Sequence, residues 1–250
     1  MARSRHTGAV AFDLDVSEEQ LAAMREIDAT AWFTQFRFNN ASSPVHPNHR
    51  LAENNWMKQH MVNDAIRQHV QGKRVLDLFA ANGGFAFIAA QFGASEVVGV
   101  EYAHDRVASA SLIAEVTGLS DRVSFICGDV YKLDEYFSEP FDTVLCLGGL
   151  YHVPDPALLL KGIRAVTRET LVLHTAMTLN LPGNWAKFHY RPAATAKEPL
   201  AQGGYGAWSF TPECIRHLLR HGGFTVRTEK RPPFFKRRRF NYFQAVCQPV

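Results

Sequence analysis

The first residues whose types and spacing could do chemistry are Asp77 and the turn of small residues at 80–84, which follows directly on an apolar run. Small residues allow a ligand to approach the backbone closely, and the helix expected after the turn offers N–H groups at its N-terminus. Many nucleotide sites share this pattern, and a tight connection without a ligand also fits it. The turn by itself therefore indicates a strand, a turn and a helix, but no specific ligand.

Three later apolar runs end in residues of a similar kind. Glu101 ends the second run, 101 − 77 = 24 positions beyond Asp77, where a carboxylate can accept hydrogen bonds from both hydroxyls of a ribose. The third run ends at Asp129, and the fourth passes through two glycines before His152. Open α/β sheets bind ligands at the carboxyl ends of their strands. The sequence therefore predicts one ligand crevice bordered by four consecutive strand ends.

The elements that must position these residues alternate from residue 74 onward, which predicts βα units and a parallel sheet. The predicted strands are Arg74–Phe79, Glu96–Val100, Val123–Cys127, Thr143–Leu147 and Leu171–Ala176. The predicted helices are Phe85–Phe92, Asp105–Thr117, Pro156–Thr167 and one that begins at Pro212 after the N-cap Thr211. Two final β-like runs, Thr225–Lys230 and Phe240–Cys247, indicate a hairpin. We therefore expect an α/β fold with a Rossmann-like seven-stranded sheet that ends in an antiparallel hairpin.

A helical cap is predicted ahead of the sheet. One helix is expected from Asp15 to about Thr30, with Ser17 as its N-cap, and another from about Leu51 to Val70. An aromatic-rich stretch and a loop separate them. We expect the N-terminal cap to cover residues 1–71 and the sheet domain to cover 72–250, with a substrate-side insertion at about 178–209.

Composition sets outer limits on the function. Apolar residues make up 46% of the chain and charged residues 20%, which is ordinary for a globular protein. We find no run of the roughly 20 apolar residues that a membrane-spanning helix needs, and the basic N-terminus lacks the apolar core of a secretory signal. The four cysteines are far apart and form no CxxC pair, so we expect neither a metal site nor a disulfide framework, and a cytoplasmic location. The net charge of +3 is modest, and the basic run at 236–239 favours a solvated hairpin tip over a phosphate clamp.

From about Arg74 to Asp155 the motifs together resemble those of class I methyltransferases that depend on S-adenosyl-L-methionine (SAM). The stretch Gly-Gly-Leu-Tyr-His-Val-Pro-Asp-Pro at 148–156 is similar to the ubiquinone/menaquinone-type methyltransferases. Its Leu-Tyr-His part also resembles the tRNA-uridine carboxymethyltransferases, which use a carboxylated SAM. The resemblance implies an enzyme that transfers the methyl group of SAM and releases S-adenosyl-L-homocysteine (SAH).

The resemblance also implies which residues hold the cofactor. They are Asp77, Phe79, Ala80, Ala81, Asn82, Gly83, Glu101, Tyr102, Asp129, Val130, Leu147, Gly148 and His152. Asp77 and the turn at 79–84 would hold the methionine part, and Glu101 would take the ribose. Tyr102 and Val130 would flank the adenine, and Asp129 would accept a hydrogen bond from its amino group. The last three residues would border the sulfonium.

The turn departs from the family's pattern of an acid followed by three alternate glycines. Phe79 and Ala81 occupy the first two glycine positions, and only Gly83 matches. We expect the Phe79 side chain to hinder the close backbone approach or to contact the cofactor through its ring. A complete GxGxxG is also missing, which argues against a nicotinamide dehydrogenase. The residues at 147–150 take the place of the Asn/Asp-Pro-Pro-Tyr signature of exocyclic amino methyltransferases, which argues against methylation of DNA adenine or of glutamine.

Two histidines are the predicted catalytic residues. The protein must hold the acceptor atom in line with the methyl group, and a general base is needed where the acceptor carries a proton of high pKa. His152 follows the fourth strand beside the expected methyl position, and His174 lies in the fifth strand. A packed, structural histidine is the alternative for each.

The acceptor pocket is expected from the aromatic-rich N-terminal segment and the insertion. An aromatic lid excludes water and suits a flat or apolar molecule. The predicted substrate residues are Trp32, Phe36, Trp56, Tyr151, His189 and Tyr190. Simple packing on the core is the alternative for each of them.

Three functions stay open at this point. The aromatic segments and modest charge favour methylation of O, N or C on a small-molecule metabolite. The Leu-Tyr-His resemblance and the basic run favour a tRNA-base modifying methyl- or carboxymethyltransferase. The third option is a non-catalytic SAM-binding protein. A small molecule is the preferred partner over nucleic acid, no membrane partner is expected, and a homodimer is one option for assembly.

Overall fold

The computed structural model describes residues 9–48, 61–178, 182–191, 205–231 and 242–250. The chain divides into two units, Met1–Cys127 and Gly128–Val250. The start of the predicted second helix, the predicted substrate residue Trp56 and the basic run at 236–239 lie outside the described residues. The predicted domain boundary at residues 71–72 stays a prediction.

The first unit is built around three parallel strands. Its elements are β1 Val10–Ala11, α1 Glu18–Glu26, β2 Phe36–Arg37, α2 described over residues 61–70, β3 Arg74–Leu78, α3 Gly84–Gln91, β4 Glu96–Glu101, α4 His104–Val116 and β5 Val123–Cys127. In the register of β3 with β4, Asp77 lies opposite Gly99. Glu101 lies opposite Cys127 in the register of β4 with β5. The acid of the first predicted motif thus lies one strand away from Gly99, which packs tightly against the Phe125 ring.

The second unit contains the remaining strands of the sheet and an added hairpin. Its elements are α5 Leu133–Tyr136, β6 Phe141–Leu147, α6 Pro156–Ala165, β7 Thr167–Ala176, β8 Ala186–Arg191, β9 Tyr205–Phe210, α7 Pro212–His221, β10 Phe224–Lys230 and β11 Tyr242–Pro249. A 3₁₀ turn, Leu150–His152, follows β6. β6 and β7 are parallel, whereas β11 runs antiparallel to both β7 and β10.

The central sheet confirms the predicted fold class. Among the described residues, seven strands follow the order β10-β11-β7-β6-β3-β4-β5, and β10 with β11 forms the terminal antiparallel hairpin. The strands of a parallel sheet are covered on both faces, so they carry continuous apolar runs. Val144, Leu145 and Cys146 of β6 are fully buried, as are Leu171, Val172 and Leu173 of β7.

Local signals set several helix ends. Ser17 forms a capping box with Gln20, in which each side chain bonds the other residue's backbone N–H. Thr211 caps α7 and Pro212 takes its first position, as expected. The first helix ends at Glu26 rather than near Thr30, because a separate 3₁₀ turn capped by Asp28 covers Ala29–Ala31.

Two strand predictions need correction. β7 begins at Thr167 rather than Leu171, because its first four residues are all polar and do not form an apolar run. The insertion at about 178–209, for which the sequence predicts no strand, contains the antiparallel pair β8 and β9. Aromatic residues in this segment obscure the alternation of polar and apolar side chains that marks a strand. In addition, β8 pairs with a strand that follows residues 192–204, so the pairing is not a local signal.

Gly99→Ala is expected to lower the free energy of unfolding, because a Cβ atom there would lie 2.6 Å from Cε1 of Phe125. Overpacking of this kind costs about 1–3 kcal/mol. Gly162→Ala in α6 is the control, because its Cβ would meet nothing within 4 Å and alanine favours a helix by roughly 1 kcal/mol. Thermal denaturation should give a lower Tm for Gly99→Ala and a higher one for Gly162→Ala. An unchanged Tm for Gly99→Ala would show that Phe125 can move aside.

Candidate active site

The turn after β3 has a left-handed backbone at three alternate residues. The φ angle is 59° at Phe79, 48° at Ala81 and 82° at Gly83. These are the positions at which the family pattern has glycine. A residue with a Cβ atom adopts this conformation at a cost of roughly 1–2 kcal/mol. The departure from glycine therefore changes the side chains of the turn but leaves its left-handed backbone in place.

Glu101 ends β4 and ties this turn to the strand. The residue is 6% exposed. Its Oε2 accepts a hydrogen bond from the backbone N–H of Ala81 at 2.9 Å. Its Oε1 accepts from the N–H of Ala103 at 3.1 Å and from Nη1 of Arg106 at 3.4 Å. A carboxylate offers about four acceptor sites, so these three contacts leave capacity for a hydroxyl donor.

Asn82 joins the turn to the N-terminal segment. Its side chain is fully buried and pairs reciprocally with the backbone of Thr34. The Thr34 N–H donates to Oδ1 at 2.9 Å, and Nδ2 donates to the Thr34 carbonyl at 2.8 Å. A Cβ atom on Gly84 would lie 2.9 Å from Cβ of Thr34. The amide of Asn82 therefore holds the N-terminal segment against the turn, and only glycine fits beneath Thr34.

Tyr102 and Cys127 lie next to Glu101. Tyr102 is 39% exposed, which leaves its ring accessible to a planar ligand. The Cys127 thiol contacts the Tyr102 carbonyl at 3.3 Å. Desolvation, with a further contribution from the Glu101 carboxylate, raises the pKa of the Cys127 thiol. The thiol is therefore protonated at neutral pH and is not a candidate nucleophile.

In the second unit, two tyrosines shape the loop that carries Asp129. The backbone N–H of Asp129 donates to the Tyr136 hydroxyl at 3.1 Å, and its Oδ1 accepts from the N–H of Tyr131 at 2.9 Å. The Tyr131 hydroxyl donates to the carbonyl of Asp155 and accepts from its N–H, at 3.0 and 2.8 Å. Burial raises the pKa of Tyr131, so this phenol keeps its proton and both bonds. Val130 is buried beside it.

His152 ends the 3₁₀ turn after β6, and the hairpin of β8 and β9 holds the chain directly after it. Nε1 of Trp208 donates to the Val153 carbonyl at 3.1 Å. The Trp208 ring lies 4.8 Å from the Phe188 ring and is stacked with Phe210 at 6.1 Å. The imidazole of His152 is half-buried and lies 3.9 Å from the ring of Tyr151. An aromatic layer thus adjoins the loop with the predicted base.

His174 is buried in a row of three residues across the strands. It lies opposite Leu147 of β6 on one side and Gln244 of β11 on the other. Its carbonyl accepts from the N–H of Gly148 at 2.7 Å, and its ring lies 5.2 Å from the ring of Tyr242. The two predicted catalytic histidines are therefore on different elements, and β7 fixes the backbone at Gly148.

The predicted substrate residues lie in different surroundings. Trp32 and Phe36 are fully buried, with rings 6.5 Å apart, and Phe36 also packs edge-on against Phe87 at 5.3 Å. His189 is exposed on β8, with Nε2 at 3.2 Å from Oγ of Ser209. Tyr190 is also on β8. The substrate roles stay predictions.

The comparisons with known proteins decide the family. Residues 69–195 match the family model described as a methyltransferase domain. Over 196 residues the chain is 31% identical to the ubiquinone biosynthesis O-methyltransferase of Neisseria meningitidis serogroup C, a match that covers 72% of this chain and 81% of that relative. The chain belongs to the class I SAM-dependent methyltransferases. The predicted family, enzyme class and SAM cofactor are thereby confirmed.

Solved structures share the fold of this methyltransferase. The N-terminal domain of EvdMO1 with SAH bound has a TM-score of 0.68 and 22% identity, covering 94% of this chain and 97% of that one. The 1,6-didemethyltoxoflavin-N1-methyltransferase of Burkholderia thailandensis, solved with bound 1,6-didemethyltoxoflavin and SAH, has a TM-score of 0.61 and 18% identity, covering 97% of this chain and 94% of that one. Among the described residues of the methyltransferase, no helix is long and apolar enough to cross a bilayer.

Sequence reasoning missed three residues that shape the site. Arg106 contacts Glu101 from α4, Thr34 holds Asn82, and Trp208 bonds the chain after His152. Aromatic composition marks Trp208 as an insertion residue without indicating its partner. Thr34 does not stand out in the sequence because its partner Asn82 lies 48 residues away, and Arg106, five residues after Glu101, has the sequence context of an ordinary arginine on a helix.

Ala81→Gly is expected to raise the Tm of the methyltransferase by about 2 °C. The relief of roughly 1–2 kcal/mol of left-handed strain exceeds the roughly 0.4–1 kcal/mol by which glycine favours the unfolded chain. The hydrogen bond from this N–H to Glu101 is retained. Ala80→Gly is the control and should lower the Tm. Ala80 has no left-handed strain to relieve, and the substitution removes a buried methyl group. Differential scanning calorimetry on both variants checks the sign, and a lower Tm for Ala81→Gly would contradict it.

Proposed function

We propose that this methyltransferase transfers the methyl group of SAM to a flat, largely apolar small-molecule metabolite. The observation that carries the proposal is the aromatic layer of Phe188, Trp208 and Phe210, which the Trp208–Val153 hydrogen bond holds beside the His152 loop. Aromatic walls suit planar acceptors and exclude water. Two similar proteins are named for small-molecule chemistry, one for ubiquinone biosynthesis and one for 1,6-didemethyltoxoflavin, which supports the same substrate class here.

The residues of the first unit fit the cofactor. The turn at 79–83 has the left-handed backbone of a glycine loop, and Glu101 keeps acceptor capacity at the end of β4. We assign Glu101 to the ribose hydroxyls and the exposed Tyr102 ring to one face of the adenine. Asp77 and the turn would face the methionine part. Asn82 would act through its hold on Thr34, because both ends of its amide are used there.

In the second unit we assign Asp129 and Val130 to the adenine, and Leu147 and Gly148 to the end that carries the methyl group. The carbonyl of His174 fixes the N–H of Gly148, so the position of this backbone depends on β7. Oδ1 of Asp129 is engaged by the N–H of Tyr131, which orients the carboxylate. A location in the cytoplasm is part of this proposal.

Bound SAM supplies an electrophilic methyl group, and the protein's task is to align and deprotonate the acceptor. We assign the general base to His152, because it is half-buried and its loop is held on one side by Trp208 through Val153. On the other side Tyr131 holds Asp155. Both anchors follow His152 in the chain and fix the backbone that leads away from it. His174 is buried one strand away and would orient rather than deprotonate the acceptor.

Incubation with SAM that carries a labelled methyl group, together with metabolite and tRNA pools, tests the proposed substrate class. Label is expected in the small-molecule fraction. Glu101→Ala should abolish both this transfer and the binding of SAH measured by calorimetry, whereas Glu115→Ala, an exposed glutamate on α4, should change neither. Label in tRNA, with binding that weakens steeply with salt, would instead establish RNA modification. Binding of SAH without transfer to either pool would indicate a non-catalytic SAM-binding protein.

His152→Gln is expected to lower kcat by about 10²–10⁴-fold once an acceptor is found, since a positioned general base contributes this much. The dissociation constant for SAH should change little by comparison. The pH dependence that the imidazole gives to kcat should also disappear in the variant. A kcat within a factor of about two of the wild type, with the same pH profile, would assign His152 a packing role.

A further inference from the structure

Arg106 stands between Glu101 and the N-terminal segment at residues 32–34. Its Nη1 lies 3.4 Å from Oε1 of Glu101, and its Cζ lies 4.3 Å from the centre of the Phe33 ring. The two ionic side chains are 18% and 7% exposed. One guanidinium therefore contacts both the acid at the end of β4 and the Phe33 ring, which lies 73 residues before Arg106 in the chain.

The Glu101 carboxylate needs a cation at this place. Burial of an ionised carboxylate is unfavourable unless hydrogen bonds and an opposite charge compensate it. The N–H groups of Ala81 and Ala103 each hold one of its oxygens, but they carry no net charge. Arg106 supplies the charge, from the first turn of α4.

An arginine side chain is long and has many rotamers, so something must hold its guanidinium. Phe33 does this, since a guanidinium is attracted to the face of an aromatic ring. The ring is itself fixed through its neighbours in the chain. Thr34 is bound by Asn82 on one side, and the Trp32 carbonyl accepts from the N–H of His46 at 2.8 Å on the other.

We infer that Arg106 is a positioning residue for Glu101, and that the N-terminal segment at 32–34 contributes to SAM affinity by seating Arg106 on Phe33. The inference rests on the proposed role of Glu101 at the ribose. The segment is then part of the cofactor site through two contacts: Thr34 on Asn82 of the turn, and Phe33 on the arginine that orients the ribose acid. Loosening the segment weakens SAM binding even though none of its side chains is assigned to the cofactor.

Isothermal titration of SAM and SAH into variants of the full chain tests this inference. Arg106→Ala is expected to raise the dissociation constant about tenfold, since the acid loses a charged hydrogen-bond partner. Arg106→Lys keeps the charge but loses the planar stack, and should restore part of the affinity. Phe33→Ala should weaken binding about threefold, and Phe33→Leu, which keeps apolar bulk, should weaken it to a similar extent.

The double variant distinguishes positioning from general loss of structure. If Phe33 acts through Arg106, Phe33→Ala combined with Arg106→Ala binds no more weakly than Arg106→Ala alone. Arg25→Ala, at an exposed arginine in the last turn of α1, is the matched control and should bind as the wild type does. Circular dichroism melts identify any variant that fails to fold, in which case Arg106→Lys and Phe33→Leu decide the question. Once an acceptor is known, Arg106→Ala should raise KM for SAM while kcat at saturating SAM is retained.

The outcomes separate this inference from the assignment on which it rests. If Glu101→Ala abolishes binding while Arg106→Ala behaves like Arg25→Ala, the positioning role is wrong and the ribose assignment stands. If Glu101→Ala leaves binding unchanged, the ribose assignment and this inference both fail. Strictly additive losses in the double variant would show that Phe33 does not act through Arg106.

Discussion

The Glu101 carboxylate is the contact on which the cofactor end of the first unit depends. The turn after β3 holds two residues with side chains in a left-handed conformation, and the bond from Ala81 N–H to Glu101 secures the second of them. The same carboxylate fixes Ala103 at the start of α4 and draws Arg106 toward the N-terminal segment. The hydrogen bond from Ala81 to this carboxylate thus offsets part of the backbone strain in the turn. The buried carboxylate in turn needs the positive charge of Arg106. A ribose that takes up the remaining acceptor capacity would meet a group already oriented.

The second unit secures its functional loop in a different way. Neutral hydrogen bonds do this: the Tyr131 phenol holds Asp155, and the Trp208 indole holds Val153. These two anchors lie on either side of Pro154, directly after His152. The added hairpin of β8 and β9 therefore has a structural role, because Trp208 supports the loop that carries the proposed base. On this face Phe188 stays 44% exposed beside the buried Phe210.

Membership of the family determines the type of reaction but leaves the identity of the acceptor substrate open. A class I fold supports many acceptors, because the acceptor is chosen by segments added to a conserved sheet. In the proposed function those segments are the N-terminal segment and the hairpin of β8 and β9. Trp32 and Phe36 are buried in the core, so the N-terminal segment supplies packing and a seat for Arg106. The hairpin carries the aromatic residues Phe188, Trp208 and Phe210, on which the proposed preference for a planar small molecule rests.

The sequence by itself determined the parallel strands, the terminal hairpin, the family and the cofactor, because continuous apolar runs, caps such as Thr211 and acids at strand ends are all local signals. It also marked Phe79 and Ala81 as departures from the glycine pattern, but not that the backbone stays left-handed there. Only the tertiary structure revealed the pairing of Asn82 with Thr34, the seat of Arg106 on Phe33 and the bond from Trp208 to Val153. These partners are 48, 73 and 55 positions apart in the chain. These contacts depend on how whole elements pack against one another, which local residue patterns do not predict.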